Sequence, residues 1–394
     1  MTHMRCDVVI VGAGVQGAGV AQAAAAAGYS VLLLERYQPA HGTSSRSSKL
    51  IHGGLRYLET AQFSLVRESL AEREIMLRNA PELVRLQPFY VPVYRHTRRR
   101  PWQLRAGLAM YTLLGGCARG TAFGTVPRRA WATLDGLQTD GLQSVFRYFD
   151  GQTDDAALTR AIVRSAQQLG ATVMTGATFM HAELHEHGVA VDYQCGASTG
   201  SCEAGIMINA AGPWAEQVAR RVFPPQFKRQ VELVQGTHIG LAGSVAQGIY
   251  YVESPQDGRA VFVMPWQGRI LVGTTETRYS GDPEDVQPQA AEIDYLLTVL
   301  KHYFPQYESR TRDDLIESFA GLRVLPAGSG RSFERSRETM LDVDRANRPR
   351  LLTIYGGKLT GWRATGQRVI ERCVASLPGR TRCADTKQLR LLPD

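Results

Sequence analysis

From Val8 to Leu34 the chain carries no charged residue, a stretch long enough to cross a bilayer if it formed one continuous helix. Its polar and glycine positions divide it instead. Asp7 opens the run, Gln16 and Gln22 interrupt it, and Gly12, Gly14, Gly17, Gly19 and Gly28 break it into pieces. DVVIVG is apolar and β-branched, as a strand buried on both faces must be. GAGVQGAGVAQAAAAAG then predicts an alanine-rich helix ended by Gly28, and SVLLLE a second strand. The pattern fits a buried strand, helix and strand better than a membrane span.

The same reading extends along the chain. DDAALTRAIVRSAQQLG predicts a helix with Asp154 as N-cap and Gly170 as stop, leading into the short strand ATVMTG. GIMINAAGPWAEQVA reads as a strand ending in small residues. Between about Leu233 and Thr277, the segments VQGTHIGL, GIYYVES, RAVFVMPW and RILVGTTE alternate or run apolar between glycine-bearing turns, which predicts an antiparallel sheet. In VQPQAAEIDYLLTVLKHYF, Ile293, Leu296, Leu297 and Leu300 share one helical face. LLTIYGGKLTGWRATGQRVIE adds a strand, Gly356 and Gly357, then a helix whose N-terminus includes Lys358, Leu359 and Thr360. The fold class is α/β with an α+β portion, and 394 residues suit two domains.

Composition narrows the partners. The 45 basic and 37 acidic residues leave a formal charge of +8, which favours an acidic lipid, a nucleic acid or a phosphorylated metabolite. Cys6, Cys117, Cys195, Cys202, Cys373 and Cys383 form no CxxC pair, and no histidine stands at zinc-like spacing, so reduced thiols and no metal are expected.

The first unit carries GxGxxG. Gly12 serves the tight turn, Gly14 the close approach of a pyrophosphate, and Gly17 the packing of helix on strand, while the helix N-terminus offers N–H groups to phosphate. Glu35 ends the second strand about twenty residues on, where an acid accepts hydrogen bonds from a ribose. This fingerprint fits a dinucleotide and does not separate FAD from NAD.

The next stretch, GTSSRSSKLIHGGLRYLE, does separate them. With FSLVRESLAERE, NAAGPWA, VFVMPW, VGTTE, AGLRVLP and YGGKLT, it closely resembles the FAD-dependent glycerol-3-phosphate dehydrogenases of the glycine/D-amino-acid oxidase superfamily, over nearly the whole chain. The resemblance implies a Rossmann-like FAD-binding domain in three pieces, 1–86, 149–224 and 317–394, and a substrate domain of antiparallel sheet from 87–148 and 225–316. It implies that FAD is held by Gly12, Gly14, Gly17, Glu35, Arg36, Thr43, Ser44, Ser45, Ser47, Ser48, Lys49, Leu50, His52, Gly53, Ala211, Gly212, Gly356, Gly357, Lys358, Leu359 and Thr360. Hydroxyls and amides of the serine-rich segment suit a pyrophosphate and ribityl chain, and Gly53 and Gly54 let the backbone pass beside a flat ring.

The implied reaction oxidises sn-glycerol 3-phosphate to dihydroxyacetone phosphate, with hydride to flavin N5 and electrons then passed to a quinone. By resemblance Arg56, Tyr57, His238, Arg323, Arg337 and Lys358 gather around the substrate. His238 is assigned as proton acceptor because an ordinary histidine titrates near neutrality. Arg323 orients the reacting oxygen, and Arg56, Arg337 and Lys358 form the phosphate clamp. From Arg95 to Leu114 an arginine cluster precedes Trp102 and a helix with Leu104, Leu108 and Tyr111 on one side. That suits either an anionic membrane surface or packing on its own domain. A cytoplasmic location, peripheral on the inner membrane, and a homodimer complete the expectation. Nucleic acid is not expected, because the arginines lack interleaved aromatics.

The sequence departs from the family pattern at Ala320, Gly361 and Trp362, and, stopping at Asp394 soon after the flavin helix, it is expected to lack the helical C-terminal domain usual in the family. Alternatives are an oxidase using oxygen, a dehydrogenase of another hydroxy acid or amine, and a non-catalytic basic flavoprotein binding membrane or nucleic acid.

Overall fold

The computed structural model describes residues 2–226, 229–327 and 338–393. β1 (Thr2–Val11), α1 (Val15–Ala26) and β2 (Val31–Glu35) form the predicted unit, with β1 and β2 parallel and Val8 opposite Val31. Successive side chains take opposite faces: Val8 and Ile10 enter a core shared with α1, whereas Val9, Val11, Leu32 and Leu34 enter another on the far side. With both faces covered, the paired stretches Val8–Val11 and Val31–Leu34 carry no charge.

The chain continues through β3 (Leu50–Ile51), α2 (Phe63–Asn79), β4 (Val84–Tyr94), α3 (Pro101–Leu114), β5 (Gly124–Thr125) and β6 (Leu142–Thr153) to α4 (Asp155–Gln168). Asp154 caps α4 as predicted, its carboxylate accepting from the Ala157 amide at 2.9 Å. β7 (Thr172–Thr175), β8 (Ala177–Leu184), β9 (Val189–Cys195) and β10 (Ser198–Asn209) follow, then α5 (Ala215–Ala219) and β11 (Val222–Phe223). The remainder comprises β12 (Val231–Leu241), β13 (Ile249–Glu253), β14 (Ala260–Trp266), β15 (Arg269–Gly273), β16 (Thr277–Tyr279), α6 (Ala290–Tyr303), β17 (Leu315–Pro326), β18 (Met340–Val343), β19 (Leu351–Tyr355) and α7 (Trp362–Cys373).

Among the described residues the strands form two sheets. The nine-stranded one runs β11-β8-β9-β10-β1-β2-β7, with β19 joined to β10 and β18 to β19. β1 lies between β10 and β2, parallel to both, and β19 runs parallel to the end of β10. Helices α1, α4 and α7 share the core on one face. Beginning, middle and end of the chain therefore meet in one layer.

The ten-stranded sheet runs β16-β12-β15-β14-β13-β4-β6-β3, with β17 on β12 and β5 on β6. It is antiparallel as predicted, except that β13 lies parallel to β4. Leu296, Leu297 and Leu300 of α6 are buried against it, with Ile293 packed at the margin. The boundary drawn at residue 317 needs correction. β17 pairs along its length with β12, so its hydrogen bonds place it in this second sheet.

One helix differs from expectation, and a second follows one of the two alternatives left open for it. α7 begins at Trp362 with Gly361 as N-cap, so Lys358, Leu359 and Thr360 lie in the turn before it. Gly356 (φ +72°) and Gly357 (φ +106°) are left-handed and delay the helix. In α3, Leu104, Leu108 and Tyr111 are buried in the protein's own core. Its outer side instead exposes Trp102 (70%), Met110 (40%) and Leu113 (64%).

Candidate active site

A cavity of about 450 Å³ lies between the two sheets. At one end the glycine turn sets its shape. Gly12 has φ +100°, and a methyl group on Gly17 would come within 1.9 Å of the Gly12 carbonyl oxygen, so the helix can approach the turn only without a side chain there. Gly14 caps α1 without a side chain of its own, and Ser44 Oγ accepts from the Val15 amide at 2.9 Å. Glu35 is fixed by the amides of Ala13 (2.7 Å) and Tyr37 (2.9 Å). Across from these, Ala211, Gly212 and Trp214 line the same space. Trp214 Nε1 is buried with no partner among the described residues, a donor available to a ligand.

At the other end, strand alternation decides which side chains face the cavity. On β12, Gln235 and Thr237 turn toward α6, where Glu292 accepts from Gln235 Nε2 (2.5 Å), Thr237 Oγ1 (2.6 Å), Thr275 Oγ1 (2.7 Å) and Thr277 Oγ1 (2.8 Å). Burial pushes that carboxyl up, but the hydroxyls outweigh it and hold it below its ordinary range. His238, the next residue after Thr237 and so on the opposite face of the strand, turns into the cavity. Its partner across the sheet is Gly273, where a methyl group would come within 2.0 Å of His238 Cδ2. The imidazole stacks on Phe319 at 5.0 Å and its Nε2 meets Ser48 Oγ at 2.9 Å.

Burial, and then the charges of Arg323 and Lys49, hold His238 well below the ordinary histidine value. The reason first given for choosing it, an unperturbed titration near neutrality, is therefore corrected. The ring is neutral at pH 7 and so has an open lone pair, but it is a weaker base than a solvated histidine.

Arg323 Nη2 donates to Thr274 Oγ1 at 3.1 Å and Nη1 lies 3.6 Å from Glu276 Oε1. Lys358 Nζ stands 3.7 Å from the centroid of the Tyr57 ring, and Arg56 lines the same chamber. Arg56, Tyr57, His238, Arg323 and Lys358 thus share one cavity; Arg337 lies outside the described residues.

Of the expected cofactor residues, all but Gly17, Ser45, Lys49 and Gly53 line the cavity. Gly17 sits behind the turn, in its packing role. Ser45 Oγ donates to the Gly42 carbonyl at 3.1 Å within its own short helix. Lys49 is the larger correction: at φ +60° its side chain turns inward, where Nζ binds Asp155 Oδ1 at 2.7 Å and the Ser45 carbonyl at 2.6 Å. Burial raises the Asp155 carboxyl, opposed by Lys49 and by the Ser47 amide. Gly53 faces Tyr111 and Leu70 instead of the cavity. Arg36 reaches the rim but is ion-paired with Glu284 and donates to Tyr37 Oη at 2.8 Å. Asp150 also lines the space and had no motif to mark it, and Trp214, though inside NAAGPWA, was not among the residues expected at the cofactor.

A family model described as "FAD dependent oxidoreductase" matches residues 7–366. The chain belongs to that family. This FAD-dependent oxidoreductase is 37% identical over 375 residues to the D-erythritol 1-phosphate dehydrogenase of Brucella abortus (strain 2308), spanning 93% of this chain and 73% of that protein. It is 36% identical over 372 residues to the aerobic glycerol-3-phosphate dehydrogenase of Escherichia coli K12, again over 93% and 73%. Its structure resembles that of the Bacillus halodurans glycerol-3-phosphate dehydrogenase complexed with FAD, with a TM-score of 0.77 and 25% identity over 98% of this chain and 68% of that one. The α/β fold with its second sheet and the FAD cofactor accord with the sequence reading. The site fits the cofactor on its own terms: a left-handed glycine turn, a helix N-terminus, small residues opposite, and the Trp214 donor.

Proposed function

We propose that this oxidoreductase oxidises sn-glycerol 3-phosphate to dihydroxyacetone phosphate and passes the electrons to a quinone. The observation that carries the reading is that Arg56, Arg323, Lys358 and His238 line the same cavity as the glycine turn. Its two cited relatives are named for polyol phosphates. FAD, when bound, supplies the acceptor for the electron pair.

The chain supplies the rest. Arg56, Lys358 and, by resemblance, Arg337 hold the phosphate dianion. Arg323, braced by Thr274 and Glu276, orients the alcohol oxygen. The hydroxyl proton passes to Nε2 of neutral His238, with the Ser48 hydroxyl, itself on the cavity wall, in contact with that nitrogen. The nine-stranded sheet holds the cofactor and the ten-stranded sheet faces the substrate. Anaerobic addition of glycerol 3-phosphate to the yellow protein tests the assignment: rapid bleaching supports it. If only D-erythritol 1-phosphate bleaches the flavin, the substrate is the four-carbon polyol phosphate.

A second reading concerns location. No helix among the described residues is long and apolar enough to cross a membrane. Trp102 and Leu113 stand eleven residues apart, three turns of α3, with Met110 beside them and Arg95, Arg98, Arg100 and Arg105 exposed nearby. That outer side suits docking on an anionic bilayer, where the quinone resides. Flotation with anionic but not with neutral liposomes is expected; no flotation with either removes the membrane role.

A further inference from the structure

Arg73, Tyr111 and Asp150 come from α2, α3 and β6 and are 0%, 0% and 1% exposed. Arg73 Nη1 donates to Asp150 Oδ1 at 2.6 Å, and Tyr111 Oη donates to Asp150 Oδ2 at 2.6 Å. The Gly53 amide in turn donates to Tyr111 Oη at 2.8 Å. A chain of hydrogen bonds thus runs from a buried ion pair to the backbone of the turn that precedes Arg56 and Tyr57.

Burying an ion pair is expensive, and apolar side chains of like volume often serve stability as well. What apolar groups cannot do is fix an amide. Burial pushes the Asp150 carboxyl up, while Arg73 and the Tyr111 hydroxyl oppose that shift. The turn has little freedom elsewhere. A methyl group on Gly53 would come within 2.5 Å of Tyr111 Oη, and Gly54 is left-handed at φ +79°. On the other side Thr360 Oγ1 accepts from the His52 amide at 3.1 Å. Residues 52–54 are therefore held between α3 and the turn after β19, and Asp150 itself borders the cavity.

We propose that Tyr111 and Asp150, held by Arg73, are positioning residues that set the turn at Gly53 and Gly54 and, through it, the place of Arg56 and Tyr57 beside the flavin and substrate. The inference rests on the reading of Arg56 and Tyr57 as substrate-facing. The test compares the holoenzyme of Tyr111→Phe with that of Leu108→Ala, an equally buried change on the same helix that removes no hydrogen bond. Tyr111→Phe is expected to shift the visible circular dichroism of the bound flavin and to slow bleaching by glycerol 3-phosphate roughly ten- to a hundredfold, as for a misplaced reacting group. Leu108→Ala is expected to lower the melting temperature while leaving the flavin signal and bleaching near wild type. A Tyr111→Phe protein with unchanged flavin signal, or a Leu108→Ala protein changed to the same degree, overturns the proposal. Should Tyr111→Phe yield no holoenzyme, Arg73→Lys, which keeps a cation against Asp150, is judged by the same two criteria. The flavin signal needs no substrate, so failure of the substrate assignment alone would leave it readable.

Discussion

The two ends of the cavity are made from different materials. The nucleotide end is mainly main chain: a glycine turn, the first amides of α1, and a glutamate fixed by two backbone N–H groups, nearly all within residues 12–44. The other end is side chain: Arg56, His238, Arg323 and Lys358, proposed above to meet the substrate, span some three hundred positions, and the protein around them buries further polar groups, Lys49 with Asp155, Arg73 with Asp150, and Glu292 among threonines. Backbone recognition can be written in one contiguous motif. Charged chemistry in a low-dielectric cavity needs every cation and acid paired, and the partners come from wherever the fold brings them.

Substitutions separate the two ends. Gly17→Val has the largest effect, because its side chain would meet the Gly12 carbonyl at an impossible distance; the purified protein should be colourless, and a normal ratio of flavin to protein absorbance would remove the turn from cofactor binding. Lys49→Met leaves Asp155 buried without its cation and should cost about 3–5 kcal/mol in urea unfolding of the holoenzyme. A loss below about 1 kcal/mol would mean the pair is dispensable. Lys358→Met should keep flavin but raise KM for the polyol phosphate roughly 10- to 100-fold, the loss of one charge-assisted contact of about 1.5–3 kcal/mol.

The smallest effect is the acid response of His238. Its native value is depressed, so as pH falls below the ordinary histidine value of about 6.5 the unfolded chain takes up a proton that the native protein refuses. Stability is fully present above that pH and falls by up to about 1.4 kcal/mol per unit below it, until the native value is reached. Urea unfolding at pH 7.5 and 5.5 should show less acid loss in His238→Asn than in wild type; equal losses would assign the acid response to other groups.

Much of this was legible in the sequence for physical reasons. Burial on both faces of β1 and β2 leaves an uncharged run, and the cap at Asp154 and the apolar face of α6 follow from local spacing. Lys49 was misplaced because motif likeness reports a position in the chain, whereas a left-handed φ at that residue reverses where the side chain goes. Tyr111 and Asp150 were invisible because their partners lie tens of residues away, and Tyr111 sits in a helix whose spacing announced only an apolar face. The boundary drawn at residue 317 cut across β17 because a twelve-residue strand names its partner only through register.

The insertion of β19 beside β10 has a consequence for biosynthesis. The glycine turn emerges from the ribosome early, but the wall facing it includes Gly356, Gly357 and Lys358, delivered by a strand that begins at Leu351. Until that strand docks, the nascent polypeptide can offer FAD only half a grip. Among the described residues, the wall opposite the glycine turn is therefore completed only by the last strand of the chain to be synthesised.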